Sequence, residues 1–151
     1  MFQRLFPETV DNRFRGHRVA LWLFYPITLV MIVRSCIHMF RGDGGAQSIA
    51  TIPLDSLTSV GVASVIAVFA QWGLSQLLLA LLFAVVLLRY RALISLMYLV
   101  IVVENIGRIA MGSMKPFVTL ETAPGGPGSF VFIALALVGL VLSLRWPQES
   151  Q

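Results

Sequence analysis

Four apolar runs, each long enough to cross a bilayer and parted by short polar breaks, constrain this chain more than any other feature. A transmembrane helix needs about 20 mostly apolar residues. The runs lie at about 19–40, 62–88, 92–113 and 129–145. In hydrocarbon each backbone amide must find its partner within the protein, which leaves helices for runs of this kind. The predicted fold is therefore all-α: an integral membrane four-helix bundle, one domain over residues 1–151. Composition agrees, with 58% of residues hydrophobic and 12% charged, where a soluble domain is about a quarter charged. A net charge of +4 raises nucleic acid as a partner, but the basic residues sit mostly at the ends of the runs, where they orient membrane helices. No nucleic acid is expected. The single cysteine, Cys36, excludes an intrachain disulfide, and no Gly-rich phosphate loop, paired-cysteine motif or G-x-S-x-G elbow is present.

Residues 1–17 form a polar lead in which Phe2, Leu5 and Phe6 suit either a surface-lying segment or disorder. The first run exceeds the roughly 7–15 apolar residues of a signal peptide and no small-x-small site follows it, so it is predicted to be retained. Pro26 cannot donate to the Trp22 carbonyl, which predicts a kink. Gly42, Gly44 and Gly45 end this helix, and residues 48–58, too short and polar to span, return along the surface with Asp55 or Ser56 as a cap for the next helix. The second run fits within Ser59–Leu88. It carries small residues at spacings of three or four (Ala63, Ala67, Ala70, Gly73, Ala80, Ala84) with Gln76 embedded among them, a pattern for close helix packing. Arg89-Tyr90-Arg91 is so tight a link that the second and third helices are predicted to form an antiparallel hairpin. The fourth run has no ionisable residue inside, closes on Arg145-Trp146-Pro147 and reads as lipid-facing scaffold.

Arg4, Arg13, Arg15, Arg18, Arg89, Arg91 and Arg145 fall on one side of such a bundle, against Arg41 and Lys115 on the other. This imbalance predicts cytoplasmic termini, with loops 41–58 and 114–128 facing outward. Depth follows from a rise of about 1.5 Å per residue. Glu104 and Gln76 each lie 13 residues from a cytoplasmic arginine (Arg91 and Arg89), or roughly 20 Å. Arg34, Arg108 and Gln71 lie 16 to 18 residues away, or roughly 24–27 Å. His38 shares a face with Arg34, and Glu104 with Arg108, each four apart. Arg34, His38, Gln71, Gln76, Glu104, Asn105 and Arg108 thus compose a predicted polar layer in the outward half of the bilayer. An ionisable residue at membrane depth marks a functional site by default. Two bland readings compete: a Glu104–Arg108 pair that only locks helices together, and arginines that snorkel to the outer surface.

The segments Asp43-Gly-Gly-Ala-Gln-Ser-Ile-Ala-Thr-Ile-Pro53, Gln71-Trp-Gly-Leu-Ser-Gln76, Arg89-Tyr-Arg91 and Glu104-Asn-Ile-Gly-Arg108, with Gly112 and Pro116, resemble small bacterial four-span membrane proteins of the DoxX-like type. The resemblance implies a four-helix bundle in a bacterial inner membrane and, through links of some DoxX-type proteins to quinone oxidation, a lead toward quinone. It implies no catalytic residue.

Three functions follow in order. The first is a binding or accessory subunit whose outward pocket holds an amphiphile's polar head (membrane lipid, quinone or a partner helix), in a homo-oligomer or a larger membrane complex. The second is an oligomeric proton, ion or small-solute transporter using Glu104; few polar residues continue inward along the spans, which weighs against it. The third is a quinone-linked redox subunit. Bis-histidine haem is disfavoured, because His17 and His38 fall at opposite membrane faces, roughly 30 Å apart along one helix. A metal centre is disfavoured too, since no second His or Cys accompanies His38 and Cys36.

Overall fold

A computed structural model describes residues 2–145, the side chain of Phe2 excepted; Trp146 and Pro147 lie outside the described residues. The described residues form helices and no strands. The helices are α1 (Phe2–Leu5), α2 (Arg18–Phe40), α3 (Ser59–Arg89), α4 (Ile94–Met114) and α5 (Gly125–Arg145), and all but α1 are long and apolar enough to cross a membrane.

Each long helix starts where local chemistry directs it. His17 caps α2, its Nδ1 accepting the Val19 amide at 3.2 Å. Helix α3 is capped by Thr58, whose Oγ1 accepts from Gly61 N at 3.2 Å. Neither Asp55 nor Ser56 has the predicted capping role: Asp55 accepts from the Gln47 side chain, and the Ser56 hydroxyl turns back to the Pro53 carbonyl. Helix α2 runs through Pro26 without interruption. Helix α5 starts earlier than its apolar run because Pro127 falls in the first turn, where a missing amide hydrogen costs nothing.

Packing does not follow chain order. Helix α2 lies chiefly against α3, α4 against α5, and α2 also against α5, whereas α3 and α4 approach each other much less closely. The tight connector therefore reverses the chain without making a packed hairpin. A short 3₁₀ turn, Arg91–Leu93, fills it, and the lead segment binds it, with Ala92 N donating to the Asp11 carbonyl at 3.2 Å. Residues 6–17 are accordingly folded onto the bundle rather than lying apart. Arg15 grips the Asp11 carboxylate, and His17 N reaches the Leu142 carbonyl at 3.1 Å. The hydrogen bond from Arg15, then that from the Arg13 amide, hold the Asp11 carboxyl below its ordinary range.

The half of the bundle on this side is an apolar core of Ala20, Phe24, Ile27, Met31, Ala80, Phe83, Val86, Ile94, Tyr98 and Ile101. Two glycine contacts set helix distances. A Cβ on Gly139 of α5 would stand 2.3 Å from the Tyr98 ring of α4, so the ring lies directly on the α5 backbone. A Cβ on Gly73 of α3 would stand 2.8 Å from His38 Cβ, which lets α3 press against α2. The small-residue pattern on α3 is thus used over Gly73, Gln76 and Ala80, which are buried, while Ala63 and Ala67 are exposed.

The opposite end is roofed by its own loop. After α2, Gly44 and Gly45 take φ of +60° and +74°, values open to glycine at little cost. Asp43 then collects the amides of Gly45 (2.9 Å) and Ser48 (2.7 Å) and the guanidinium of Arg41 (3.3 Å). Burial alone would raise the Asp43 carboxyl; the Ser48 and Gly45 bonds and the Arg41 charge outweigh it and hold the pKa at about 2. Ala46, Ile52 and Leu54 fold down onto Phe69, with Val65, Ile66 and Trp72 around them. Thr51 stitches this loop to the one that follows α4, accepting from Leu120 N and donating to the Glu121 carbonyl, both at 2.9 Å.

Candidate functional site

Between core and roof lies a polar layer drawn from α2, α3 and α4, in the half of the bundle away from the lead segment and Arg145. Its centre is Gln76, 7% exposed. Arg34 Nη2 donates to Gln76 Oε1 at 2.8 Å, and Gln76 Nε2 donates to Glu104 Oε1 at 3.2 Å. The amide faces one way only, because its oxygen must meet the cation and its nitrogen the carboxylate. Arg108 Nη1 reaches Glu104 Oε1 at 3.4 Å, a salt bridge between residues one helical turn apart. Asn105 Nδ2 donates to Glu104 Oε2 at 2.8 Å and to the Ile101 carbonyl at 2.9 Å. Two acceptors on one side fix this amide as well, so its oxygen is turned the other way.

Aromatic rings hold the cations in place. The Arg108 guanidinium carbon is 4.8 Å from the Trp72 ring centre, and that of Arg34 is 5.9 Å from Trp72 and 5.8 Å from Phe132 on α5. Such contacts stabilise a desolvated cation by up to about 2 kcal/mol.

The charges do not close. Among the described residues Glu104 pairs with Arg108, and no carboxylate forms an ion pair with Arg34. With one carboxylate and two guanidinium groups, the layer carries one surplus positive charge. Two of its buried polar atoms have no partner, Arg34 Nε and Asn105 Oδ1. The layer reaches the surface on α4: 17% of the Glu104 side chain and 23% of that of Arg108 are exposed. A separate cavity of about 20 Å³, room for one water, lies at the other end between Arg4, Phe14, Arg15, Ser95 and Ser143.

Of the seven residues named from sequence, the structure brings five into one network: Arg34, Gln76, Glu104, Asn105 and Arg108. Neither arginine snorkels away. Gln71 does not join them; its side chain is exposed on the outside of α3. His38 sits above the layer and serves the roof, its Nδ1 2.8 Å from the Gly44 carbonyl. A carbonyl can only accept, so Nδ1 carries the hydrogen. The imidazole touches the layer through the Trp72 ring, 4.6 Å away, and packs 5.7 Å from Phe69. Sequence reasoning missed Trp72 and Phe132. Trp72 is four before Gln76 and so shares its face. Phe132 is 13 residues before Arg145, the separation that places Gln76 and Glu104. The fourth helix is therefore more than scaffold.

No protein-family profile matches this chain, and no curated protein or solved structure matches it.

Proposed function

We propose that this chain is a small multi-pass protein of the bacterial inner membrane, DoxX-like in type and with cytoplasmic termini. In this reading it acts as a binding or accessory subunit whose polar layer, in the outward half of the bilayer, receives the polar head of an amphiphile or partner helix between α3 and α4. One observation carries it: Arg34 holds a charge inside the bundle, bonded to a neutral amide and two rings but to no carboxylate. A buried cation without a counter-charge costs several kcal/mol, and an incoming acceptor group removes that cost. Transport is the weaker reading. Phe24, Phe83 and Ile101 fill the half below the layer, where Thr28, Ser95 and Tyr98 offer few polar steps for an ion.

The test is native mass spectrometry of the gently solubilised protein with an absorption spectrum of the same sample. A stoichiometric adduct lost in Arg34→Ala or Arg108→Ala is expected, and a chromophore in it would point to quinone. A bare protein in both wild type and variants would end the binding reading.

A further inference from the structure

Resting on that binding reading, we infer that the ligand is a monoanionic phosphodiester lipid whose head group carries a free hydroxyl, seated between Arg34 and Asn105. Three features select it. The first is charge: two guanidinium groups and one carboxylate leave a single positive unit, which one negative charge neutralises. A zwitterionic head brings a second cation to a site that already has one too many, a neutral quinone leaves the surplus standing, and a dianion overshoots. The second is the pair of unmet atoms. Arg34 Nε is a donor and calls for an anionic oxygen; Asn105 Oδ1, on a residue 3% exposed, is an acceptor and calls for a hydrogen. A phosphodiester oxygen and a hydroxyl within one head group supply both. Both atoms belong to the same network, Nε on the guanidinium that bonds Gln76 and Oδ1 on the amide that bonds Glu104. The third is access. Residues 46–54 pack down onto Phe69 above the layer, whereas Glu104 and Arg108 on α4 are partly exposed along the side of the bundle. A lipid reaches it from the side; a soluble phosphodiester does not.

The test is a competition read by native mass spectrometry. Full-length protein, stripped of lipid in a neutral sugar detergent, is offered equal amounts of phosphatidylglycerol, phosphatidylmethanol and phosphatidylcholine with the same acyl chains. Phosphatidylmethanol has the same single charge but no head-group hydroxyl. Phosphatidylglycerol is expected to bind about tenfold better than phosphatidylcholine, with phosphatidylmethanol about fivefold weaker than phosphatidylglycerol, a difference on the scale of one hydrogen bond. Asn105→Leu is expected to erase the difference between the two anionic lipids while both still outcompete phosphatidylcholine. Glu104→Gln raises the site to two positive units and is expected to shift preference toward phosphatidate. Arg34→Gln is expected to level all three lipids; should it fail to fold, Asn105→Leu and Glu104→Gln still decide the matter. Equal binding of phosphatidylglycerol and phosphatidylcholine to the wild type overturns the inference, and so does displacement of the lipid by water-soluble glycerophosphoglycerol. An uncharged adduct sinks this inference and leaves the binding reading intact; a bare protein sinks both.

Discussion

The two halves of the bundle are built from the same four helices on opposite principles. Toward the lead segment, the helices meet through Phe24, Phe83, Tyr98 and Ile101, with the Tyr98 hydroxyl donating to the Ala20 carbonyl inside that core. Toward the roof, they meet through Arg34, Gln76, Glu104 and Arg108, with rings beside the cations. The apolar half leaves a cavity with room for one water beside the lead segment, and its described buried side chains have their partners. The polar half is left one charge and two hydrogen-bonding atoms short. Close packing is how a bundle gains stability in lipid; a charged layer costs stability and so needs another reason to be there.

The largest expected effect tests that contrast directly. Glu104→Ala leaves both arginines and two amide donors facing no anion, and should cost about 3 kcal/mol or more. Joint replacement of Arg34, Gln76, Glu104 and Arg108 by Met and Leu should instead match or exceed wild-type stability. Reversible unfolding in mixed micelles measures both, and an unstable joint variant would make the layer a structural element after all. In the apolar half, Gly139→Ala drives a methyl group into the Tyr98 ring and should cost about 2 kcal/mol; an unchanged unfolding midpoint would show that α4 and α5 can separate freely. Tyr98→Phe removes the bond to Ala20 and should cost about 1 kcal/mol, with the ring contacts to Phe24 kept.

The roof offers a pH-dependent test. The Asp43 carboxyl ionises at about 2 in the folded protein, below its ordinary 3.8. Its depressed pKa contributes stability that is present above about pH 4 and lost as pH falls toward 2. Asp43→Asn should therefore be less stable than wild type at pH 6, and the gap should narrow between pH 4 and pH 2.5 in parallel thermal melts. A constant gap would mean that the Asp43 charge has no part in holding the roof.

How much of this could be read from the residues differs by kind of information. The four spans were legible to within about four residues, because a bilayer demands a long apolar stretch and leaves little freedom in placing it. Depth was legible for Arg34, Gln76, Glu104 and Arg108, since a helix converts residue count into height. Direction around the helix was the weak point. Gln71 has the depth of the layer, but five residues carry it about 140° around α3 from Gln76, onto the outer face. His38 has the right face beside Arg34, yet the glycine turn brings a carbonyl to its ring that no helical rule supplies. The connector between α3 and α4 misled for a different reason. Chain reversal fixes where a helix starts, whereas side-chain volume decides what it packs on, and the Tyr98–Gly139 contact draws α4 to α5. Folding of the lead segment rests on carbonyls of Asp11 and Leu142 meeting amides far along the chain, which periodicity does not encode.

Thr51 joins the loops that follow α2 and α4 by a pair of hydrogen bonds, and on the proposed binding reading that stitch changes how occupancy of the polar layer is to be counted. On the binding reading proposed above, the ligand arrives by sliding within the leaflet. Saturation is then governed by its mole fraction among the surrounding lipids, however dilute the vesicles are, and the time to exchange is set by two-dimensional diffusion and the parting of α3 from α4. Diluting the membranes in buffer would leave the layer filled; diluting the ligand with neutral lipid would empty it.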